Sequence, residues 1–382
     1  MNNLKLAVKL GIGFGTILVL TLAVAVTAYF SLSTVATSAD MGDRANAIVT
    51  MILQARQIEK NFILRGDPKL LDDHKKKIAE IEGQASEAQS LIHNKSARDL
   101  LQKAGEQVKS YEAAFQNYVG LGKKKDELNE TMRADGRAAQ TSLQAMWDDQ
   151  DGDVRKSAES NAAVPDLVDR HDKSDDAARL TANLLNMRRF EKEFIISGDP
   201  KKLEEHQAEK EMLQKGLPDL RSRYRKQKNI EAADVAIKGV NTYAAAFQEF
   251  VQLTQKQTDA DKDMVDNARA AQKACLDALA LFKADMASNI SLANSLTLGG
   301  ALVALVIGIA AALFLTRAIT GPVTKGVAFA QAMSHGDFTS SLDIDQKDEI
   351  GILARSLNEM ADRLRDVVAD VRGATDNVAS GS

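Results

Sequence analysis

The sequence predicts an all-α, membrane-anchored protein. Two transmembrane helices bracket six helices stacked as two four-helix bundles, and a parallel coiled coil follows. Three observations point there: two long uncharged apolar stretches, an internal repeat, and a heptad-spaced apolar run near the C-terminal end. Composition agrees. With only 5 prolines and 5% aromatic residues among 382, the chain has too few turn-bounded β-formers for a sheet protein. The net charge of −4 provides no basic field for nucleic acid, so none is expected as a partner. Cys275 is the single cysteine, which excludes a disulfide framework within one chain and reads as a buried helical residue.

The spans come first. No charged residue lies between Leu10 and Ala39, and Ile17 to Phe30 is almost wholly apolar. About 20 apolar residues cross a hydrocarbon core of roughly 30 Å. A cleavable signal peptide is the competing reading, because Lys5 and Lys9 precede the run, but the apolar stretch is too long for one. Met286 to Thr316 is the second uncharged stretch, followed by Arg317 and Lys325. By the positive-inside rule both basic flanks are cytoplasmic. The expected layout is a cytoplasmic tail (1–9), a first span (10–32), an outer domain (33–290), a second span (296–315) and a cytoplasmic relay (317–372). In a two-membrane bacterium the span is in the inner membrane and the outer domain is periplasmic.

The outer domain repeats itself. Residues 56–71 read RQIEKNFILRGDPKLL and residues 188–203 read RRFEKEFIISGDPKKL, so Gly66 matches Gly198 at an offset of 132. His74 matches His206 at the same offset, and Tyr111, Phe115, Gln116 and Val119 match Tyr243, Phe247, Gln248 and Val251. Arg137–Gln140 matches Arg269–Gln272. A match this long is a duplication, with units of about 45–150 and 175–285. Each reads as helix, tight turn, helix, break and long helix. On the first helix Met51, Ala55, Ile58 and Phe62 share one face. In each GDP triplet, glycine can end one helix in the left-handed conformation, aspartate can cap the next, and proline suits its first turn. The second helix should end near His93, and the third should run from Ser96 to about Gln150. An irregular stretch around 152–172 should follow, then a fourth helix to Gly198, a fifth to about Lys228 and a sixth back to the membrane. Each level of the stack then holds four helices, with both GDP turns near the junction of the halves.

This duplicated pattern resembles the helical bimodular sensor domain, whose members bind small molecules, often organic acids, between their helices. In some members the ligand arginines come from the stretch that holds Arg56 here. That resemblance points to Arg56 and Arg188, and side-chain chemistry adds Lys60, Lys192, Tyr111 and Tyr243 as candidate ligand-binding residues. Chemistry gives the same choice a rationale. Paired cations beside a bundle core suit a carboxylate, arginine offers a bidentate fork, and tyrosine hydroxyls are polar fingers. The bland reading stays open: Glu59 and Glu191 pair with nearby cations and lock each module, and the aromatic stripes are core. His74 and His206 lack a second ligand at helical spacing, so no metal is expected. The acidic run Asp148–Asp153 lacks the glycine and terminal glutamate of a calcium loop and reads as a solvated helix end.

Beyond Arg317 the chain reads helix, extended linker TSSLDIDQK, helix. Ile350, Leu353, Leu357, Met360, Leu364, Val367 and Val371 alternate by three and four, the seam of a coiled coil. Ile319, Val323, Ala330 and Met333 offer a matching face on the earlier helix. The arrangement resembles a HAMP domain: Pro322 matches the early proline, Gly336 the connector glycine, and Asp348, Glu349 and Gly351 the D-E-x-G signature. That family forms parallel dimeric bundles, which implies a homodimer.

The closing ADVRGATDNVASGS resembles the entry to the signalling hairpin of methyl-accepting chemotaxis proteins, so residues 373–382 are expected to begin a truncated output helix. The resemblance implies a chemoreceptor without catalysis of its own, coupled through the missing part to a coupling protein and a histidine kinase. No cofactor motif, kinase block, P-loop or nucleophile elbow is present. The alternatives are the input half of a sensor histidine kinase or cyclase, and a fixed membrane tether.

Overall fold

The computed structural model describes residues 4–92, 94–160 and 162–380. The expected helix end at His93 and the outermost residues of both tails lie outside the described residues. Among those described, eight α-helices and one π-turn occur in the order α1 (Leu6–Arg65), α2 (Lys69–Leu91), α3 (Lys95–Glu159), α4 (Val164–Ser197), α5 (Pro200–Arg223), α6 (Gln227–Leu315), the π-turn Thr316–Thr320, α7 (Gly321–Ser334) and α8 (Glu349–Ser380). No strand is found among them. The chain divides into two compact units, Ala47–Leu276 and a second built from Met1–Asn46 with Asp277–Ser382.

In the unit Ala47–Leu276, α4 packs against α3 and α5, and α2 packs against α3. The first module buries Ile48, Ile52 and Ala55 of α1 with Ile78 and Ile81 of α2 and Leu101, Val108, Tyr111 and Phe115 of α3. Their three- and four-residue spacing is what gives each helix one apolar stripe. The second module has its own core from α3, α4, α5 and α6, including Met132, Leu143, Leu184, Leu217 and Tyr243. Between the two, Leu121, Leu253 and Ala260 form a small cluster with Tyr118 and Leu128 packed against it. Leu121 and Leu253 are repeat mates. So are Lys125 and Gln257, whose Nζ and Oε1 are 3.0 Å apart. Residues that face their own counterparts sit beside a two-fold axis, so the duplication is built as an internal pseudo-dimer.

Both GDP turns take the expected form. Gly66 and Gly198 each have φ of 66°, a conformation that a Cβ would strain. Asp67 and Asp199 accept from the backbone N–H of Lys69 and Lys201 at 3.0 Å. The break between α3 and α4 differs from expectation. Helix α3 continues to Glu159 and α4 begins at Val164, so the described part of the irregular stretch shrinks to Ser160, Ala162 and Ala163. The acidic run is therefore helical rather than a solvated helix end. Its period continues the buried face through Met146, Gln150 and Ser157. Asp149 and Asp153 are tied to the start of α6: Lys226 Nζ lies 3.1 Å from Asp149 and 2.5 Å from Asp153, and Asn229 Nδ2 donates to Asp149 at 2.8 Å. Carboxylates at a helix N-terminus also complement its dipole.

Two helices are long and apolar enough to cross a membrane, Leu6–Arg65 and the one that begins at Gln227. Leu18, Leu22, Leu298 and Val306 each leave about two-thirds of their surface uncovered, a pattern that suits lipid and that water would penalise. The π-turn ends just before Pro322. Proline has no N–H to give the carbonyl four residues back, and a register slip of one residue accommodates that loss. Phe329, Met333, Leu342, Ala354 and Ala361 form the core between α7, the connector and α8. Within one chain, Leu353, Met360, Leu364, Val367 and Val371 of the expected seam remain exposed, and Ala354 and Ala361 make the internal contact instead.

Candidate functional site

Each module is centred on a buried glutamate. Glu59 on α1 and Glu191 on α4 are at most 1% exposed. Tyr111 Oη donates to Glu59 Oε2 at 2.8 Å, and Tyr243 donates to Glu191 in the same way. Lys60 Nζ lies 3.0 Å from Glu59 Oε1, and Lys192 Nζ lies 2.5 Å from Glu191 Oε1. Burial, and then the neighbouring carboxylate, pushes both tyrosine hydroxyls far above their ordinary range, so they stay protonated as donors. The aromatic scaffold is equally conserved between the repeats. Phe62 meets Phe115 edge-on at 5.7 Å, and Phe194 meets Phe247 edge-on at 5.9 Å.

The candidate cations stand around these glutamates. Lys60 also reaches Asp261 at 2.9 Å, and Lys192 has only Asn129 at the matching position. Arg188 Nη1 donates to Gln140 Oε1 at 2.8 Å across α4 and α3. Their repeat mates are Arg56 and Gln272. Gln272 Nε2 is buried without an acceptor among the described residues, and the half-buried Arg56 makes no hydrogen bond there. Arg56 does lower Tyr111's pKa in part, so its charge is felt at the buried pair. The tyrosine hydroxyls are thus already committed to the glutamates, whereas one arginine and one amide in the first module have donors to spare.

The histidines part company. His74 is fully buried, with Nε2 2.9 Å from Tyr111 Oη; Nδ1 lies 3.1 Å from Glu112 Oε2 without the alignment of a hydrogen bond. Burial works against the ionised Glu112, but the nearby His74 and the bond from Gln116 outweigh it and hold its carboxyl below the usual range. His206 is 4% exposed and its Nε2 has no partner. Burial, followed by the charge of Lys210, lowers its pKa to about 4. The residue at the position of Glu112 is Ala244, and there the surface opens into a groove of about 430 Å³ lined in part by His206, Lys210, Ala244, Phe247 and Gln248. Sequence reasoning passed over this difference, although aligning the repeats at 112 against 244 and 78 against 210 displays it.

Among the described residues no group of three or more His, Cys, Asp or Glu side chains could hold a metal ion. Cys275 is buried, and burial pushes its thiol up to about 12, where it is inert.

The D-E-x-G signature has a clear geometry. Asp348 Oδ1 accepts from the N–H groups of Ile350 and Gly351 at 3.1 Å, capping α8. Its Oδ2 takes Lys9 Nζ at 2.5 Å, and both side chains are buried. Burial opposes ionisation of Asp348, but Lys9 and the Gly351 amide outweigh it. Glu349 Oε2 accepts from Leu6 N at 2.8 Å, at the N-terminal end of α1. A Cβ on Gly351 would run into the carbonyl of Gln346, so only glycine fits. Lys9 as the partner of Asp348 had no local signal in the sequence. Gly336 turns the chain out of α7 at φ 86°, and Asn358 clamps the connector by bonding both N–H and C=O of Leu342 at 2.8 and 3.0 Å.

Two apolar helices, a duplicated helical domain and this capped relay define a membrane-anchored signalling protein. The HAMP domain profile matches residues 314–366, so the chain carries a HAMP domain. Its relatives are methyl-accepting chemotaxis proteins. It is 23% identical to McpQ of Pseudomonas putida over 385 residues, covering 100% of this chain and 57% of that protein. It is 39% identical to McpA of Bacillus subtilis over 79 residues, 21% of this chain and 12% of the relative. McpS of Pseudomonas putida matches at 30% over 90 residues, 24% of this chain and 14% of the relative. The chain thus spans a little over half the length of the relative it matches from end to end.

Proposed function

We propose that this chain is the sensing and relay portion of a transmembrane chemoreceptor. The observation that carries the reading is the alignment of the whole chain with a chemotaxis receptor, together with a HAMP domain placed directly after an apolar span. In this reading residues 33–290 lie outside the inner membrane between spans at 10–32 and 296–315, because Lys5, Lys9, Arg317 and Lys325 mark the cytoplasmic side. Residues 317–372 relay the signal, and 373–382 begin the output helix. The chain itself is not a catalyst: it passes its state to a coupling protein and a histidine kinase through a further domain.

The exposed seam of α8 supports a homodimer. Leu353, Met360, Leu364, Val367 and Val371 are 39–58% exposed in one chain, and a parallel second copy would bury them knobs-into-holes. The ligand in this reading is a small organic acid, because cations and unpaired donors gather beside the buried glutamates. Arg56 and the buried Nε2 of Gln272 are donors in search of an acceptor, with Lys60 and Tyr111 beside them; Arg188, Lys192 and Tyr243 form the second set. Ligand contacts that differ between two packing states of the bundle would shift α6, and with it the HAMP dimer.

The full chain in nanodiscs, screened by thermal shift against organic acids, amino acids and amines, tests this. Acids should raise the melting temperature, and Arg56→Ala should remove the first module's response and Arg188→Ala the second's. A screen in which no acid shifts the wild type would remove the carboxylate reading.

A further inference from the structure

The two apolar spans end differently on the side where the HAMP domain stands. Lys9, at the start of the first, is buried against Asp348, and Glu349 accepts the backbone N–H of Leu6. The second ends on Arg317 and Lys325, and no Asp or Glu occurs from Met286 to Gly336. Among the described residues neither of these cations makes a hydrogen bond or an ion pair. Both line one groove of about 480 Å³.

The helix itself makes this groove. Its ladder slips at the π-turn Thr316–Thr320, and such slips frequently accompany functional sites. Gly321 follows in ordinary helical conformation, and a Cβ there would meet nothing within 4 Å. Arg317, Gly321 and Lys325 are four apart and share one face, so bare backbone lies between two cations. Thr316 and Thr320 line the same space. Thr324 spends its hydroxyl on the Thr320 carbonyl at 2.8 Å, whereas those of Thr316 and Thr320 make no bond among the described residues. The face also stays open in a dimer. Helix α7 buries Gly326, Phe329 and Met333 and leaves Thr324, Lys325 and Ala328 exposed, while the expected seam of Val323, Ala330 and Met333 looks the other way. Leu313 and Phe314, three and four residues before Arg317, are exposed above the groove. One helix face therefore joins an apolar strip to a pair of cations.

We infer that the groove seats an anionic phospholipid from the leaflet facing the HAMP domain. Arg317 and Lys325 hold its phosphate over Gly321, Thr316 and Thr320 donate to phosphate oxygens, and an acyl chain runs along Leu313 and Phe314. A guanidinium offers phosphate a paired fork, and basic residues beside a span are drawn to anionic lipid. A free phosphate would use the cations and leave the apolar strip uncovered, which favours the lipid. The inference rests on residues 296–315 being a span and on nothing proposed for the outer domain.

Native mass spectrometry of the full chain in detergent, titrated with phosphatidylglycerol, phosphatidylcholine or glycerol phosphate, tests it. The wild type should retain phosphatidylglycerol over phosphatidylcholine by about tenfold or more, as two cations beside an anionic head group would give. Arg317→Gln with Lys325→Gln should remove that preference. Gly321→Leu keeps every charge but fills the groove, and should lower the preference nearly as far. Should that variant fail to fold, Arg317→Lys replaces it, because it keeps the charge and loses the fork. A folded Gly321→Leu protein that prefers phosphatidylglycerol as the wild type does would show attraction by surface charge alone and overturn the inference. Equal retention of the two lipids by the wild type would overturn it as well. Glycerol phosphate held as firmly as the lipid would assign the groove to a soluble anion instead. A chain that stays dispersed without detergent would sink the span reading and the inference together, an outcome distinct from lipid indifference in a detergent-bound chain.

Discussion

The first module ties its histidine to the buried tyrosine, and the second does not. Glu59, Tyr111, His74 and Glu112 form one continuous chain of contacts from α1 through α3 to α2. In the second module Glu191 and Tyr243 keep their bond, but His206 has turned out of the chain and its ring lies nearly parallel to Tyr243 at 6.1 Å. The Arg–Gln contact diverges the other way: it is made by Arg188 and Gln140, and their mates leave a buried amide unsatisfied. Duplication therefore separates two roles. What both copies keep, the Glu–Tyr–Lys core and the GDP turn, holds a module together. What only one copy satisfies marks where the protein has freed a polar group.

The largest expected effect tests that difference directly. The Tyr111 hydroxyl serves both Glu59 and His74, so Tyr111→Phe strands two buried polar atoms, one of them charged. The expected loss is about 3 kcal/mol. Tyr243→Phe removes one bond and should cost about 1–2 kcal/mol. Hydrogen exchange on the full chain reads each module separately and avoids assuming a single unfolding transition. Equal losses in protection would mean that the two networks are energetically alike, and the comparison would break. Glu112→Ala comes next. It should cost the first module about 1 kcal/mol by removing the carboxylate that lies 3.1 Å from His74 Nδ1 and accepts from Gln116.

Much of the architecture was legible because long helices obey local rules. The GDP triplets announced both turns, and the 132-residue offset announced the pairing of modules before any contact was known. The acidic run from Asp148 to Asp153 misled, since its charges resemble a loop. Only the three-dimensional approach of Lys226 and Asn229 shows that they tie a helix end. The seam of α8 was legible as a pattern. Its division into an internal face, Ala354 and Ala361, and an exposed stripe was not, because small and large apolar residues share one heptad period. The candidate arginines were found by residue type. The groove at His206 was not, because it is defined by what Ala244 lacks. A missing side chain carries no motif.

Two smaller effects sharpen the comparison from its symmetric and asymmetric sides. Gly66→Ala and Gly198→Ala each place a Cβ in the left-handed region and should each cost about 1 kcal/mol. The turns are equivalent, so the two losses should match, and a mismatch in exchange protection near the turns would show that one has further work to do. The smallest effect belongs to the start of α6, where the repeat has no counterpart. Burial opposes ionisation of Asp149, but Lys228, Asn229 and Lys226 together lower its pKa to about 2. A carboxylate depressed in the folded state contributes stability in full above its unfolded value of 3.8 and loses it as the pH falls toward about 2. Protection at the α3–α6 junction should therefore decline between about pH 4 and 2, and Asp149→Asn should flatten that decline while lowering protection at neutral pH. The first module is the internal control. Its Glu112 is depressed by His74 and Gln116, with a smaller part from Lys75, all far from α6's start, so its own acid response should survive Asp149→Asn unchanged. A variant that flattened both would show that the modules unfold as one unit, and that the asymmetry between them lies in their chemistry alone.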